Sequence, residues 1–243
     1  MGNKVIAKKI DVGLEKVDRI YHIADIHFRN VKRHKEYRKV LGKFYDKVES
    51  TGTENSLIFI AGDVAHAKVE MSPELVREIS EFLLSCAGIC PTVVIAGNHD
   101  ANLSNLHRLD VLSPIIDALD NEQIIYLRKT GLYRIADCFI SVMGIFESPD
   151  DYIRAESIKG PGLKIAVHHG AINRAVTDLG YVITTGDVSM NMFDGYDIVL
   201  CGDIHKAQTL QEFHCEISEV SEDDLQNYLQ EGWEIVETID NKG

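Results

Sequence analysis

Five short groups of polar residues carry the side chains best suited to chemistry. They are Asp25-Ile26-His27, Gly62-Asp63, Gly97-Asn98-His99-Asp100, His168-His169-Gly170 and Gly202-Asp203-Ile204-His205. They offer carboxylate, imidazole and amide donors and no thiolate. Mixed oxygen and nitrogen ligation of this kind suits Mn²⁺, Mg²⁺, Fe or Zn²⁺ in a reactive site better than a structural zinc. In Asp25-x-His27 the two donors are two residues apart, so in extended chain they face the same side. One carboxylate can bridge two ions, and a pair of divalent metals activates water and steadies the attacking and leaving oxygens at phosphorus. The glycines beside the donors let the backbone turn sharply.

Each group stands where an apolar run stops. Arg19 to Ala24, Leu57 to Ala61, Thr92 to Ala96, Leu163 to Val167 and Ile198 to Cys201 read as buried strands, and one polar group follows each. In parallel sheets, sites collect outside the carboxyl ends of the strands, so separate groups can converge on one point. A single Asp at a strand end is usually a turn or cap residue. Five such groups in succession are not five separate coincidences. Lone histidines such as His22 and His107 carry no such pattern and read as structural.

The elements that position these groups alternate in the first half of the chain. A helix is expected over His34 to Val48, with Tyr37, Val40, Leu41, Phe44, Tyr45 and Val48 at helical spacing. Ser72-Pro73 supplies a cap and a first-turn proline for a helix running to about Cys86. A third helix is expected around His107 to Leu119, interrupted or restarted near Pro114. Strand-helix alternation implies parallel pairing through crossover helices. Ile124 to Leu127, Leu132 to Ile135 and Phe139 to Met143 follow one another without helices, which reads as antiparallel. The expected architecture is an α/β (α+β) layered sandwich, with two sheets face to face and helices outside.

Composition bounds the setting. Apolar residues make up 45% and charged residues 26%, ordinary for a globular chain. No apolar run reaches the roughly 18 residues of a membrane span, and residues 1–9 lack the apolar stretch of a secretory signal. The five cysteines form no paired framework, so reduced, buried thiols and an intracellular, cytoplasmic location (nuclear in a eukaryotic or viral setting) are expected. The net charge of −13 argues against a protein that coats nucleic acid by itself. The charge is polarised, however. Arg29, Lys32, Arg33, Lys35, Arg38, Lys39 and Lys43 crowd behind the first donor pair, whereas residues 214–243 hold nine acids and one Lys. The basic cluster could hold a nucleic-acid backbone or simply be a solvated helix face.

The ordered set D-x-H, G-D, G-N-H-[DE], H and G-x-x-H, spanning residues 25–205, resembles the calcineurin-like metallophosphoesterases. That resemblance implies their four-layer β-sandwich flanked by helices, with a dinuclear metal site. The stretch Ala61 to Val69 is similar to the SbcD-type nucleases of double-strand-break repair, with His66 in the position of a histidine they carry. The resemblance implies that Asp25, His27, Asp63 and His205 hold the first metal. Asp63, Asn98, His168 and Asp203 would hold the second, while His99, with His66 beside it, orients the phosphate and protonates the leaving oxygen. His168 is preferred to His169 because it directly follows the apolar strand. The family's G-H-x-H reads Gly202-Asp203-Ile204-His205 here, which puts a carboxylate where an imidazole is usual and favours harder ions such as Mn²⁺ or Mg²⁺.

Two domains of unequal weight are expected: a metallophosphoesterase domain over 1–213, incomplete at its C-terminal side, and an acidic tail over 214–243 with a short helix and a strand. The implied activity is metal-dependent cleavage of DNA at ends or in single strands, with Arg29, Lys32, Arg33 and Lys35 on the backbone and an SbcC-like ATPase as partner. A homodimer is an open option. The alternatives are an esterase of small phosphoesters or phosphoproteins, and a non-catalytic scaffold.

Overall fold

The computed structural model describes residues 5–206 except 67, 69 and 178, together with residue 208. The acidic tail over 214–243, with its expected helix and strand, lies outside the described residues.

The chain enters through β1 (Lys8–Ile10) and β2 (Arg19–Ile23), then forms α1 (His34–Thr51), β3 (Ser56–Ala61), α2 (Pro73–Ile89), β4 (Thr92–Ile95), α3 (Leu112–Leu119) and β5 (Ile124–Tyr126). It continues through β6 (Gly131–Ile135), β7 (Cys138–Met143), β8 (Lys164–His169) and β9 (Ile198–Gly202). Strands β2-β3-β4-β5 make one all-parallel sheet, and β1-β6-β7-β8-β9 make the other. In the second sheet only β6 and β7 run antiparallel. The expected antiparallel middle is thus a single hairpin. β5 instead joins the first sheet, and β8 and β9 return in parallel.

Strand alternation builds the layers. Leu57, Phe59 and Ala61 of β3 and Val93 and Ile95 of β4 face the second sheet, where Ile140, Val142, Ile165, Val167 and Leu200 meet them. Ile58, Ile60 and Val94 point the other way, onto Val48 of α1, Leu75, Ile79 and Leu83 of α2 and Ile115 of α3. All of these are essentially buried. Each fully buried aliphatic side chain of this size contributes about 1.5–3 kcal/mol. The outer face of the second sheet carries no α-helix among the described residues. It is covered by 3₁₀ turns at Pro149–Asp151, Ala155–Ser157 and Met190–Phe193, with Ile158, Ile172 and Tyr196 packed on Ala166.

Local chemistry sets the helix ends. Ser72 accepts a hydrogen bond from the Leu75 N–H at 3.1 Å and Pro73 fills the first turn of α2. The third helix begins at Leu112, five residues later than expected, because side chains in the 101–110 stretch bind nearby backbone. Asn102 accepts from the Ser104 N–H and Asn105 from the His107 N–H, so the segment turns rather than winds. Asp110 accepts from the Ser113 N–H at 2.7 Å, and Pro114 falls in the first turn, where no hydrogen bond is lost. Val40, grouped by spacing with the buried face of α1, is 64% exposed. Leu41 and Val48 hold the stripe that faces the core. Cys86, Cys90 and Cys138 are buried and, like Cys201, unpaired, as the sequence led us to expect.

Candidate metal centre

The carboxyl ends of β2, β3, β4, β8 and β9 meet at one edge of the sandwich. Register brings them level: Ile23 lies beside Ile60, Ala61 beside Ile95, and His169 beside Gly202. The loops after β2 and β3 stay paired beyond their strands. The Asp25 N–H donates to the Gly62 carbonyl at 3.1 Å and the His27 N–H to the Asp63 carbonyl at 2.9 Å.

The backbone there is not extended. Asp25, His27, Asp63 and Asp203 have φ of 57°, 51°, 53° and 68°, left-handed values that cost a non-glycine residue energy and cluster at functional sites. The two-residue rule for extended chain therefore does not explain how Asp25 and His27 converge; the left-handed turns do. Gly97 allows a close approach. A Cβ there would stand 2.2 Å from the Asp63 Oδ1. With no side chain in the way, the His99 N–H reaches that same oxygen at 2.7 Å.

Among the described residues there are three sets whose donor atoms lie within 4.8 Å of one another: Asp25, Asp63 and His169; Asp25, His27 and His205; and His27, His66 and His99. Asp63, almost wholly buried, stands between histidines, with His169 Nε2 3.3 Å from Oδ1 and His27 Nε2 3.5 Å from Oδ2. The Asp203 N–H donates to both Asp25 oxygens, at 3.0 and 3.1 Å. Asp203's own carboxylate lies beside these sets without belonging to one. Asn98 is half-buried in the turn between Gly97 and His99. His66 stacks on His99, with ring centroids 5.4 Å apart and planes 13° apart, and the His66 carbonyl lies 3.1 Å from the His99 Nδ1.

His168 is not brought to this cluster; His169 takes its place. In β8 the odd residues Ile165 and Val167 face the other sheet, and His169 continues that side. His168 follows Ala166 to the outer face, between Tyr152 and Phe193, with its Nδ1 3.1 Å from the Met143 carbonyl. The His169 Nδ1 lies 2.7 Å from the Ala61 carbonyl. A carbonyl only accepts, so Nδ1 carries the proton and Nε2 is turned toward Asp63.

The electrostatics call for a cation. Burial opposes charge on Asp63, yet His169, the His99 N–H and His27 together hold its pKa below the usual value. Burial also opposes charge on His169, but Asp63 and the Ala61 carbonyl push its pKa up to about 9. Asp203 is pushed up by burial, and Asp63 and Asp25 add to that rise against the opposing His169 charge. Among the described residues, buried His27 Nδ1, Asp63 Oδ2, His66 Nδ1 and His169 Nε2 have no hydrogen-bond partner, and neither has His168 Nε2 on the outer face. Crowded carboxylates and orphaned imidazole nitrogens are the arrangement that divalent ions complete, so the residues fit such a group.

Below this layer Asp100, the last residue of the Gly97-Asn98-His99-Asp100 group, is a buttress, a role the motif itself does not assign it. Wholly buried, it accepts from the backbone N–H groups of Ala65 at 2.7 Å, Gly97 at 2.9 Å and Val64 at 3.3 Å. Burial pushes its carboxyl up to about 7 against those bonds.

A cavity of about 650 Å³ opens over the centre, lined by Asp25, His27, His66, His99, Asp203 and His205 and, from the basic cluster, by Arg29 and Arg33. Lys32 and Lys35 are exposed and do not line it.

Comparison with known families matches residues 18–207 to calcineurin-like phosphoesterases. An uncharacterized protein of Acanthamoeba polyphaga mimivirus is 41% identical to this chain over 204 residues. The match takes in 79% of this chain, which spans only 15% of the viral protein's length.

Proposed function

Given that this chain belongs to the calcineurin-like phosphoesterase family, whose members use divalent metals, we propose that it is a Mn²⁺-dependent phosphodiesterase acting on DNA ends or single strands. The observation that carries this reading is the convergence of Asp25, His27, Asp63, His169 and His205, with orphaned donor atoms, beside the stacked His66–His99 pair. In this reading Asp25, His27, Asp63 and His205 hold one ion, and Asp63, Asn98, His169 and Asp203 the other. Bound divalent ions polarise the phosphoryl oxygens and lower the pKa of water, which makes a nucleophile available near neutral pH. His99 orients the phosphate and gives a proton to the leaving oxygen, with His66 stacked against it. Proton transfer of this kind is worth about 10²–10⁴ in rate.

Arg29 in the cavity lining favours a substrate with a further phosphate over a small ester with one. Kinship with SbcD-type nucleases, and an SbcC-like ATPase as partner, belong to the same proposal. The net charge of −13 favours a second reading, hydrolysis of small phosphoesters. Cleavage of a single-stranded oligonucleotide and of bis(4-nitrophenyl) phosphate, with Mn²⁺ or with chelator, separates the readings. Chelation should abolish both activities. Oligonucleotide cleavage should fall steeply between 50 and 200 mM salt while diester hydrolysis changes little. Full activity in chelator would remove the metal reading, and salt-insensitive oligonucleotide cleavage would remove the DNA reading.

A further inference from the structure

The cavity does not stop at the donor atoms. It continues along α1 over an apolar wall of Ile23, Ile26, Tyr37, Val40 and Leu41. The Tyr37 hydroxyl donates to the His27 carbonyl at 2.7 Å, and its ring packs edge-on against Phe28 at 4.9 Å. The aromatic face is thereby fixed beside a site residue. Val40, about one turn further on, leaves 64% of its surface exposed. Arg33 Nε donates to the Glu36 carboxylate at 2.6 Å, so the acid that α1 contributes to the cavity is neutralised. Arg29 makes no ion pair among the described residues.

At about 650 Å³ the space is of the size that holds an organic ligand, far more than a phosphate group needs. One cavity thus combines a centre for one phosphate, an aromatic and aliphatic wall, and an arginine able to grip a second phosphate in fork geometry. Those are the groups that one nucleotide unit of a chain presents: two flanking phosphates and a base.

We propose that the nucleotide unit adjoining the scissile phosphate lays its base on Tyr37 and Val40 and its second phosphate on Arg29. This rests on the phosphodiesterase reading above and adds a subsite to it. The subsite makes nucleotides, rather than phosphoesters in general, the substrate class.

Calorimetric binding to the Mn²⁺-supplemented protein tests the subsite without turnover. The probes are methyl phosphate, phenyl phosphate, thymidine 5′-monophosphate and thymidine 3′,5′-bisphosphate. Bis(4-nitrophenyl) phosphate hydrolysis, measured in parallel, reports on the phosphodiesterase reading separately. Thymidine monophosphate should bind about tenfold tighter than methyl or phenyl phosphate, and the bisphosphate about tenfold tighter again, ~1.4 kcal/mol for each step. Val40→Asn should erase most of the first step and Arg29→Ala most of the second. Val40 and Arg29 are both exposed, so the variants should fold, and circular dichroism checks this. Phenyl phosphate matching the nucleotide, no gain from the second phosphate, or gains that survive both substitutions would each overturn the subsite, whatever the hydrolysis result.

Discussion

Exchanging the roles of two adjacent histidines gives the sharpest test of this centre. His168 and His169 are both 1% exposed, and only the side of β8 on which each lies separates them. His169→Ala removes an imidazole whose Nε2 stands 3.3 Å from the Asp63 Oδ1. A structural Zn²⁺ site of four ligands is worth about 10–16 kcal/mol, roughly 2.5–4 kcal/mol per ligand, which sets a ceiling for the weaker-binding Mn²⁺. The His169→Ala variant should therefore bind Mn²⁺ more weakly at one position, by at most about 10²–10³-fold. His168→Ala removes a ring packed between Tyr152 and Phe193 and leaves the Met143 carbonyl without that partner. The cost is a cavity plus a lost hydrogen bond, on the order of 2–4 kcal/mol of stability, with metal affinity unchanged. Metal bound per chain after dialysis, read against urea unfolding of both variants, separates the two effects. If His168→Ala loses metal while His169→Ala keeps it, the side assignment in β8 is wrong and the centre must be rebuilt around His168.

Three further outcomes follow from the same geometry. Asp203→Ala keeps the backbone N–H that binds Asp25, so it should fold normally yet drop from two bound Mn²⁺ toward one; full occupancy would make the carboxylate a bystander. Asp100→Ala leaves three buried N–H groups unpaired and should cost on the order of 3 kcal/mol in urea unfolding, and a loss below about 1 kcal/mol would mean those donors find other partners. Burial works against the Asp110 charge, but Arg128 at 2.8 Å and the Ser113 N–H and hydroxyl hold its pKa below the usual value. A carboxylate with a depressed folded pKa contributes stability above its unfolded value near ~3.9 and loses it as pH falls through the folded one. The stability gap between wild type and Asp110→Asn should thus be open at neutral pH and close in acid below about pH 4, and a gap constant down to pH 2 would sink the assignment.

How far these features could be read from sequence depends on whether burial leaves an alternation to read. Strands β3, β4, β7 and most of β8 are buried along their length, so their positions along the chain are plain from the apolar runs. For the same reason their composition carries no record of which residue faces which side. Following the apolar run directly favours His168, but register with β7 and β9 sets His168 beside Met143 and His169 beside Gly202. β1 went unseen because three residues, two of them lysine, carry no apolar signal and are held by pairing with β6. α3 was drawn too long because helical spacing does not register the competition from Asn102, Asn105 and Asp110 for backbone donors. Asp25, His27, Asp63 and His205 come together all the same because each stands at a strand end, and strand ends follow from where apolar runs stop. The closing step of the site was out of reach of the pattern. Asp25, His27, Asp63 and Asp203 take left-handed backbone that no spacing rule anticipates, held by bonds between loops far apart in sequence. Sequence therefore locates these side chains along the chain, while their aim comes from cross-loop hydrogen bonds that exist only once both sheets have closed.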